Sequence, residues 1–124
     1  MSVDTLRIIV NYPVIPYTRM TQRGRWVQER AIRYLGNQRL LGWHMRLALG
    51  DTPIPVFDKD KRLKLDVTFT GAFWRGDTTN YLKAVEDAAN GILWNDDRQI
   101  DWACGIRKHG PGHEVVIEVG EIQQ

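Results

Sequence analysis

The chain of 124 residues is 43% hydrophobic, with a formal net charge of +2 and one cysteine. That suits one core of ordinary size and excludes both an internal disulfide framework and a zinc site built on several thiolates. Charge is divided unevenly: of 17 basic and 15 acidic residues, 8 arginines and 2 acids lie within residues 1–50, leaving a first part at +6 and a second at −4.

No apolar run approaches the roughly 20 residues of a membrane helix, and MSVDTLRIIV has neither the basic start nor the cleavage site of a signal peptide. One cytoplasmic domain over residues 1–124, not bound to a membrane, is the expectation. The early cations are all arginines (Arg7, Arg19, Arg23, Arg25, Arg30, Arg33, Arg39, Arg46), and guanidinium groups suit bidentate phosphate contacts, so nucleic acid is a natural partner. A solvated helix face with a basic loop accounts for the charge about equally well.

In chain order, Leu6 to Val10 is a short β-branched run halted by Asn11 and Pro13, a first strand. PVIPYTRMTQRGRWVQ has no sustained period and reads as a basic loop. From about Glu29 to Leu49, Tyr34, Leu41, Met45 and Ala48 fall on one helical face and Gly50 supplies a stop, while Gly36 and Gly42 weaken the helix by about 1 kcal/mol each. DTPIPVFDKDKR (51–62) reads as an exposed connection.

Leu63, Leu65, Val67 and Phe69 alternate with polar residues as a strand with one buried face. Asp77 to about Asn90 is the second helix, with Asn90-Gly91 suited to its end. Ile100, Trp102, Cys104 and Ile106 alternate, as do Val115, Ile117 and Val119, with KHGPGH as a turn between them. The order β-α-β-α-β-β predicts an α+β domain: a mixed sheet with two helices packed on it. Cys104 and most of the five tryptophans are expected in a core or interface.

On a wheel of the second helix, Asn80, Lys83 and Asp87 form a polar stripe flanked by the small residues Ala84 and Gly91, leaving Tyr81, Leu82, Val85 and Ala88 to cover the sheet. Lys83 and Asp87 are spaced for an ordinary surface pair as well, and Asp77 for a helix cap. Beyond the helix, Asn95-Asp96-Asp97 sets two carboxylates side by side. Clustered carboxylates raise each other's pKa unless a cation lies between them, and Mg²⁺ accepts one or two carboxylates plus a substrate phosphate. An acidic turn is the plainer reading. His44, His109 and His113 have no partners at a metal-binding spacing.

GDTTNYLKAVEDAANGILWNDDRQI (Gly76 to Ile100) resembles the signature of the RusA-type crossover (Holliday) junction endodeoxyribonucleases, in which an Asp, an Asn and a Lys open a helix and an Asp-Asp pair precedes a strand. PYTRMTQRGRWVQERAIRYLG is similar to that family's arginine-rich segment. The resemblance implies a homodimer that resolves four-way DNA junctions by paired nicks in recombination and repair, with Mg²⁺ or, as substitute, Mn²⁺, in a bacterial or phage-encoded protein. It implies Asp77, Lys83 and Asp97 as catalytic residues, with Asp77 and Asp97 binding metal, and Asn80 and Asp87 in support. The family's second aspartate is replaced by Thr79, a weaker and neutral ligand, for which Asp96 could substitute. Asp77 and Asp97 are accordingly expected to share one hydrated ion with Lys83 at its rim. Arg19, Arg23, Arg25, Arg30 and Arg33 are the expected DNA contacts, with Trp26 placed to stack on an unpaired base. A branched-DNA-binding protein with weak or no nuclease activity is the alternative, and a small structural protein a third reading.

Overall fold

The computed structural model describes residues 4–17, 24–71 and 76–123. Strand β1 spans Thr5–Val10, helix α1 Gly24–Leu49, β2 Leu63–Gly71, α2 Thr78–Ala89, β3 Ile100–Lys108 and β4 His113–Glu121, with a 3₁₀ turn over Asp97–Gln99 just before β3. The β-α-β-α-β-β order is as expected. The sheet runs β1-β4-β2-β3. β2 and β3 are parallel, joined through α2 as parallel strands require, and β4 returns antiparallel between β1 and β2.

Period-2 patterning decides which face is covered. Ile8 and Val10 of β1, all four alternating apolar residues of β2, and Val115, Ile117 and Val119 of β4 are buried and in register across the sheet. Both helices pack on that face: Tyr34, Leu41, Met45 and Leu49 from α1 and Tyr81, Ala84, Val85, Ala88 and Ala89 from α2 complete the core. Ala84, expected to flank the polar stripe, thus belongs to the core. Ala48 is exposed and Leu49 takes the place expected for it, because the burial stripe steps by four from Tyr34's side of the helix through Leu41 and Met45.

Several sequence expectations change. Helix α1 begins at Gly24, so Arg25 and Trp26 stand in its first turns and not in a loop. The 51–62 connection is docked: Phe57 is fully buried, and the Val56 and Phe57 amides donate to the Ile92 and Leu93 carbonyls. Trp102 and Ile106 are exposed and Cys104 is half-buried, because the register pairs them with Lys64, Thr68 and Asp66 on the uncovered face of the sheet. Trp94 is buried, Trp43 is exposed, and Trp26 and Trp74 lie outside the residues whose side chains are described.

Two polar devices join the layers. Buried Asn37 accepts from the Ile15 amide at 3.0 Å and donates to the Pro13 carbonyl at 2.8 Å, tying α1 to the chain leaving β1. Gly42 lets α1 approach α2, since a Cβ there would meet Ile92 Cδ1 at 3.2 Å and the Ala88 carbonyl oxygen at 3.3 Å.

Candidate active site

The last turn of α2 carries two acidic residues, Glu86 and Asp87. After Asn90 the backbone turns out of the helix at Gly91, whose φ of +83° suits a glycine. Trp94 is then buried, and its indole Nε1 donates to Asp97 Oδ1 at 2.8 Å. The acidic turn is held by Gln99. This buried amide accepts from the Asn95 and Asp96 backbone amides at 2.8 and 3.0 Å and donates to the Asp58 and Lys61 carbonyls at 2.7 and 3.2 Å. Asp96 closes a capping box with it, accepting from the Arg98 amide.

Around Asp97 the structure gathers Glu86, Asp87 and Lys83. Burial pushes the Asp97 carboxyl above its ordinary range, against the lowering effect of the Trp94 bond, and the Asp87 and Asp96 charges add to the rise while Lys83 opposes it. Burial likewise raises Glu86, with the Asp97 charge next in weight. Lys83 Nζ lies 3.5 Å from Asp87 Oδ1 and 5.1 Å from the centre of the Tyr17 ring. Tyr34 donates its hydroxyl to Asp87 Oδ2 at 2.6 Å, and burial followed by that bond pushes the phenol far above its usual range.

Of the remaining expected site residues, Asp96 adjoins Asp97, while Asp77, Thr79 and Asn80 lie at the start of α2. Asp77 is the N-cap of α2, exposed and making no side-chain capping bond, with the neighbouring Gly76 carbonyl held by Arg107 at the far end of β3 from Asp97. It stands about three helical turns from Asp87. Asp77 thus stands at the start of α2 while Asp97 lies beside Lys83, Glu86 and Asp87, and no group of three acidic, histidine or cysteine side chains able to hold a metal forms among the described residues. Asp96 is engaged by Arg98 at 3.0 Å, which lowers its pKa and spends it on the turn. Asn80 is partly buried, its carbonyl accepting from the Tyr17 amide at 2.9 Å, and Thr79 is exposed. Arg30 and Arg33 are exposed or nearly so along α1; Arg19 and Arg23, and the side chains of Arg25 and Trp26, lie outside the described residues.

Sequence reading passed over Glu86 and Gln99, and placed Tyr34 only on the apolar face of α1. The Asp96-x-x-Gln99 spacing is a legible capping-box signature. Glu86 adjoins Asp87 but falls off the Asn80-Lys83-Asp87 stripe, and nothing local marks Tyr34, whose contact is made 53 residues away.

The donor set is all oxygen, which suits a hard divalent ion. Such an ion takes one or two carboxylates with waters and a substrate phosphate, and half-buried Asp97 and Glu86, both raised mainly by burial and Glu86 further by the Asp97 charge, fit that demand. Among the described residues, no helix is long and apolar enough to cross a membrane. No curated protein matches the chain. The model of the endodeoxyribonuclease RusA family matches residues 52–119, which include α2, the acidic turn and three of the four strands.

Proposed function

Because this chain belongs to the RusA endodeoxyribonuclease family, whose members are nucleases that act on branched DNA, we propose that it resolves four-way junctions by paired, symmetric nicks. Mg²⁺ is the cofactor, with Mn²⁺ able to replace it; two copies act together, in the cytoplasm of a bacterial or phage-infected cell. The observation that carries this reading is the raised, half-buried Asp97 and Glu86 pair beside Lys83.

Asp97 and Glu86 would hold the ion, which when bound polarises the scissile phosphate and lowers the pKa of a coordinated water. Trp94 fixes the rotamer of Asp97 by its hydrogen bond. Tyr34 orients Asp87, and Asp87 in turn holds Lys83. The Lys83 ammonium then supplies positive charge to the transition-state oxygens. Asp77, exposed at the opposite end of α2 and not used as a side-chain cap, would supply a further carboxylate for metal at the helix start, with Asn80 and Thr79 close to it in sequence. Arg19, Arg23, Arg25, Arg30 and Arg33 would contact phosphates, and Trp26 a branch-point base.

Thr79 in place of a carboxylate, and the lack of a three-ligand group among the described residues, favour a second reading: a branched-DNA-binding protein with weak or no cutting. One experiment separates them. A labelled four-way junction, a linear duplex and a flap are incubated with the protein, each with and without Mg²⁺. Metal-dependent, symmetric nicks in the junction, leaving 5′-phosphate and 3′-hydroxyl ends, support resolution. Junction binding without nicks at any Mg²⁺ or Mn²⁺ concentration selects the binding protein.

A further inference from the structure

Residues 11–17, which follow β1, pass from α1 to α2. Asn37 of α1 holds them at the Pro13 carbonyl and the Ile15 amide. Pro16 packs on Gly76, where a Cβ would meet the Pro16 Cβ and Cγ at 3.4 Å. The Tyr17 amide then donates at 2.9 Å to the carbonyl of Asn80, one turn before Lys83 on α2. None of these anchors uses the Tyr17 side chain, so its backbone is held in place whatever that side chain is.

The Tyr17 ring closes a circuit of four side chains drawn from this segment and both helices. Lys83 Nζ stands over the ring, 5.1 Å from its centre. Tyr34 meets the same ring edge to face, with centres 5.5 Å apart and planes at 90°. Tyr34 also donates to Asp87 Oδ2, and Asp87 Oδ1 lies 3.5 Å from Lys83 Nζ.

The ion pair alone is a poor clamp for a flexible lysine. Its 3.5 Å separation is long for a charged hydrogen bond, the lysine side chain is 45% exposed, and pairs at i, i+4 on a helix surface are weak. An ammonium within about 6 Å of a tyrosine ring gains an attraction of similar or larger size. The ring also acts differently from a second carboxylate. It draws the cation through its quadrupole and does not cancel the charge, which stays available to an incoming phosphate oxygen.

We propose that Tyr17 is a positioning residue for strand cutting: its ring and Asp87 together hold the Lys83 ammonium ready for the scissile phosphate. This rests on the nuclease reading and extends the site to a residue outside the matched stretch 52–119.

The test uses the full chain and has a structural and a kinetic arm. In proton–carbon NMR spectra of the metal-free protein, the Lys83 ε-methylene signal, identified by its absence from Lys83→Arg, should be displaced upfield by the ring current. The displacement should persist in Tyr17→Phe and vanish in Tyr17→Leu, with circular dichroism unchanged. In single-turnover cutting of a labelled four-way junction with Mg²⁺, Tyr17→Leu should slow the cutting step about tenfold or more. Its junction affinity in chelator should stay within about twofold of the parent's, because the lysine charge remains and only its placement is lost. Tyr17→Phe should recover most of the rate. Should Tyr17→Leu fail to fold, Tyr17→Met, a flexible apolar side chain without a ring, takes its place.

A ring needed only for packing would give a folded Tyr17→Leu chain that cuts at the parent rate, and that result overturns the proposal. So would a Tyr17→Phe chain as slow as Tyr17→Leu, or a lysine signal that is not displaced in the parent. A parent that cuts no junction in Mg²⁺ or Mn²⁺ would sink the nuclease reading itself and this role with it, even with the lysine signal displaced. A parent that cuts, paired with a Tyr17→Leu chain that cuts equally well, would spare that reading and remove Tyr17 from it.

Discussion

Asp97 is pulled in two directions by its surroundings. Partial burial and the Asp87 and Asp96 charges disfavour its ionised form, and Glu86 has the same difficulty beside it. The folded chain therefore holds protons on these two groups at pH values where the unfolded chain has released them. From the ordinary carboxylate pKa near 4 up to the raised values, the native state binds more protons, so metal-free stability should fall as pH rises through that window and level off above it. Asp97→Asn keeps an oxygen able to accept the Trp94 bond and removes the charge. Melting in chelator at neutral pH should show it more stable than the parent by on the order of 0.5–1 kcal/mol, a figure reduced for the half-exposed setting. Its pH dependence should be flatter, and junction nicking should be lost while binding persists. A variant that melts lower, or that nicks at the parent rate, would place the ion elsewhere. The gain in stability on disarming the residue is what a functional carboxylate predicts and a structural one does not.

Between elements, buried amides do what apolar packing cannot, because they fix one arrangement of the chain among several of similar burial. Asn37→Ala leaves the Ile15 amide and Pro13 carbonyl without their partner. Denaturant unfolding should report a loss of about 1–3 kcal/mol, well above that of the exposed Arg33→Ala on the same helix. A difference smaller than about 0.5 kcal/mol would mean that water replaces the amide without cost. Neither Asn37 nor Gln99 announces itself by hydrophobic period, and here the limit of sequence reading becomes physical. The strands of β2 and β4 and the helix α2 were legible because one face of each is buried and their apolar periods of 2 and 3.6 survive intact. Strand β3 has the same alternation, yet its larger alternate residues face away from the helices, since a period of 2 says which residues share a face and not which face is covered. The start of α1 was hidden by Gly24 and arginines that have no apolar period. In the site, Lys83, Asp87 and Asp97 could be nominated from spacing and resemblance, but whether Asp77 joins them depends on how far α2 carries the chain, and Tyr34 reaches Asp87 only through the packing of one helix on the other.

On the scale of the whole molecule, the cationic first part and the acidic second part are not two separate lobes. Helix α1 lies against α2, so arginines at positions 30 and 33 share a helix with Tyr34, which bonds directly into the acidic site. A polyanion approaching that site meets carboxylates that repel it and must be compensated by the arginines nearby and by a divalent ion. Each phosphate neutralised by an arginine releases condensed counterions, so the slope of log K against log[salt] counts those contacts at about −0.9 each on duplex DNA. If Arg30 and Arg33 both contact phosphate, replacing the two by alanine should make the slope shallower by nearly 2 for each copy of the chain, and should weaken junctions of every sequence alike, because phosphates carry no base identity. Asp97→Asn should leave the slope unchanged and at most strengthen binding slightly, since it removes a repulsive charge without adding a contact. Titrations over a range of salt, done in chelator so that cutting does not intervene, give both numbers from one set of proteins. An unaltered slope in the Arg30→Ala/Arg33→Ala chain would move the DNA to another face of the molecule, whereas a shallower slope with sequence-dependent loss would show that these arginines read bases as well as phosphates.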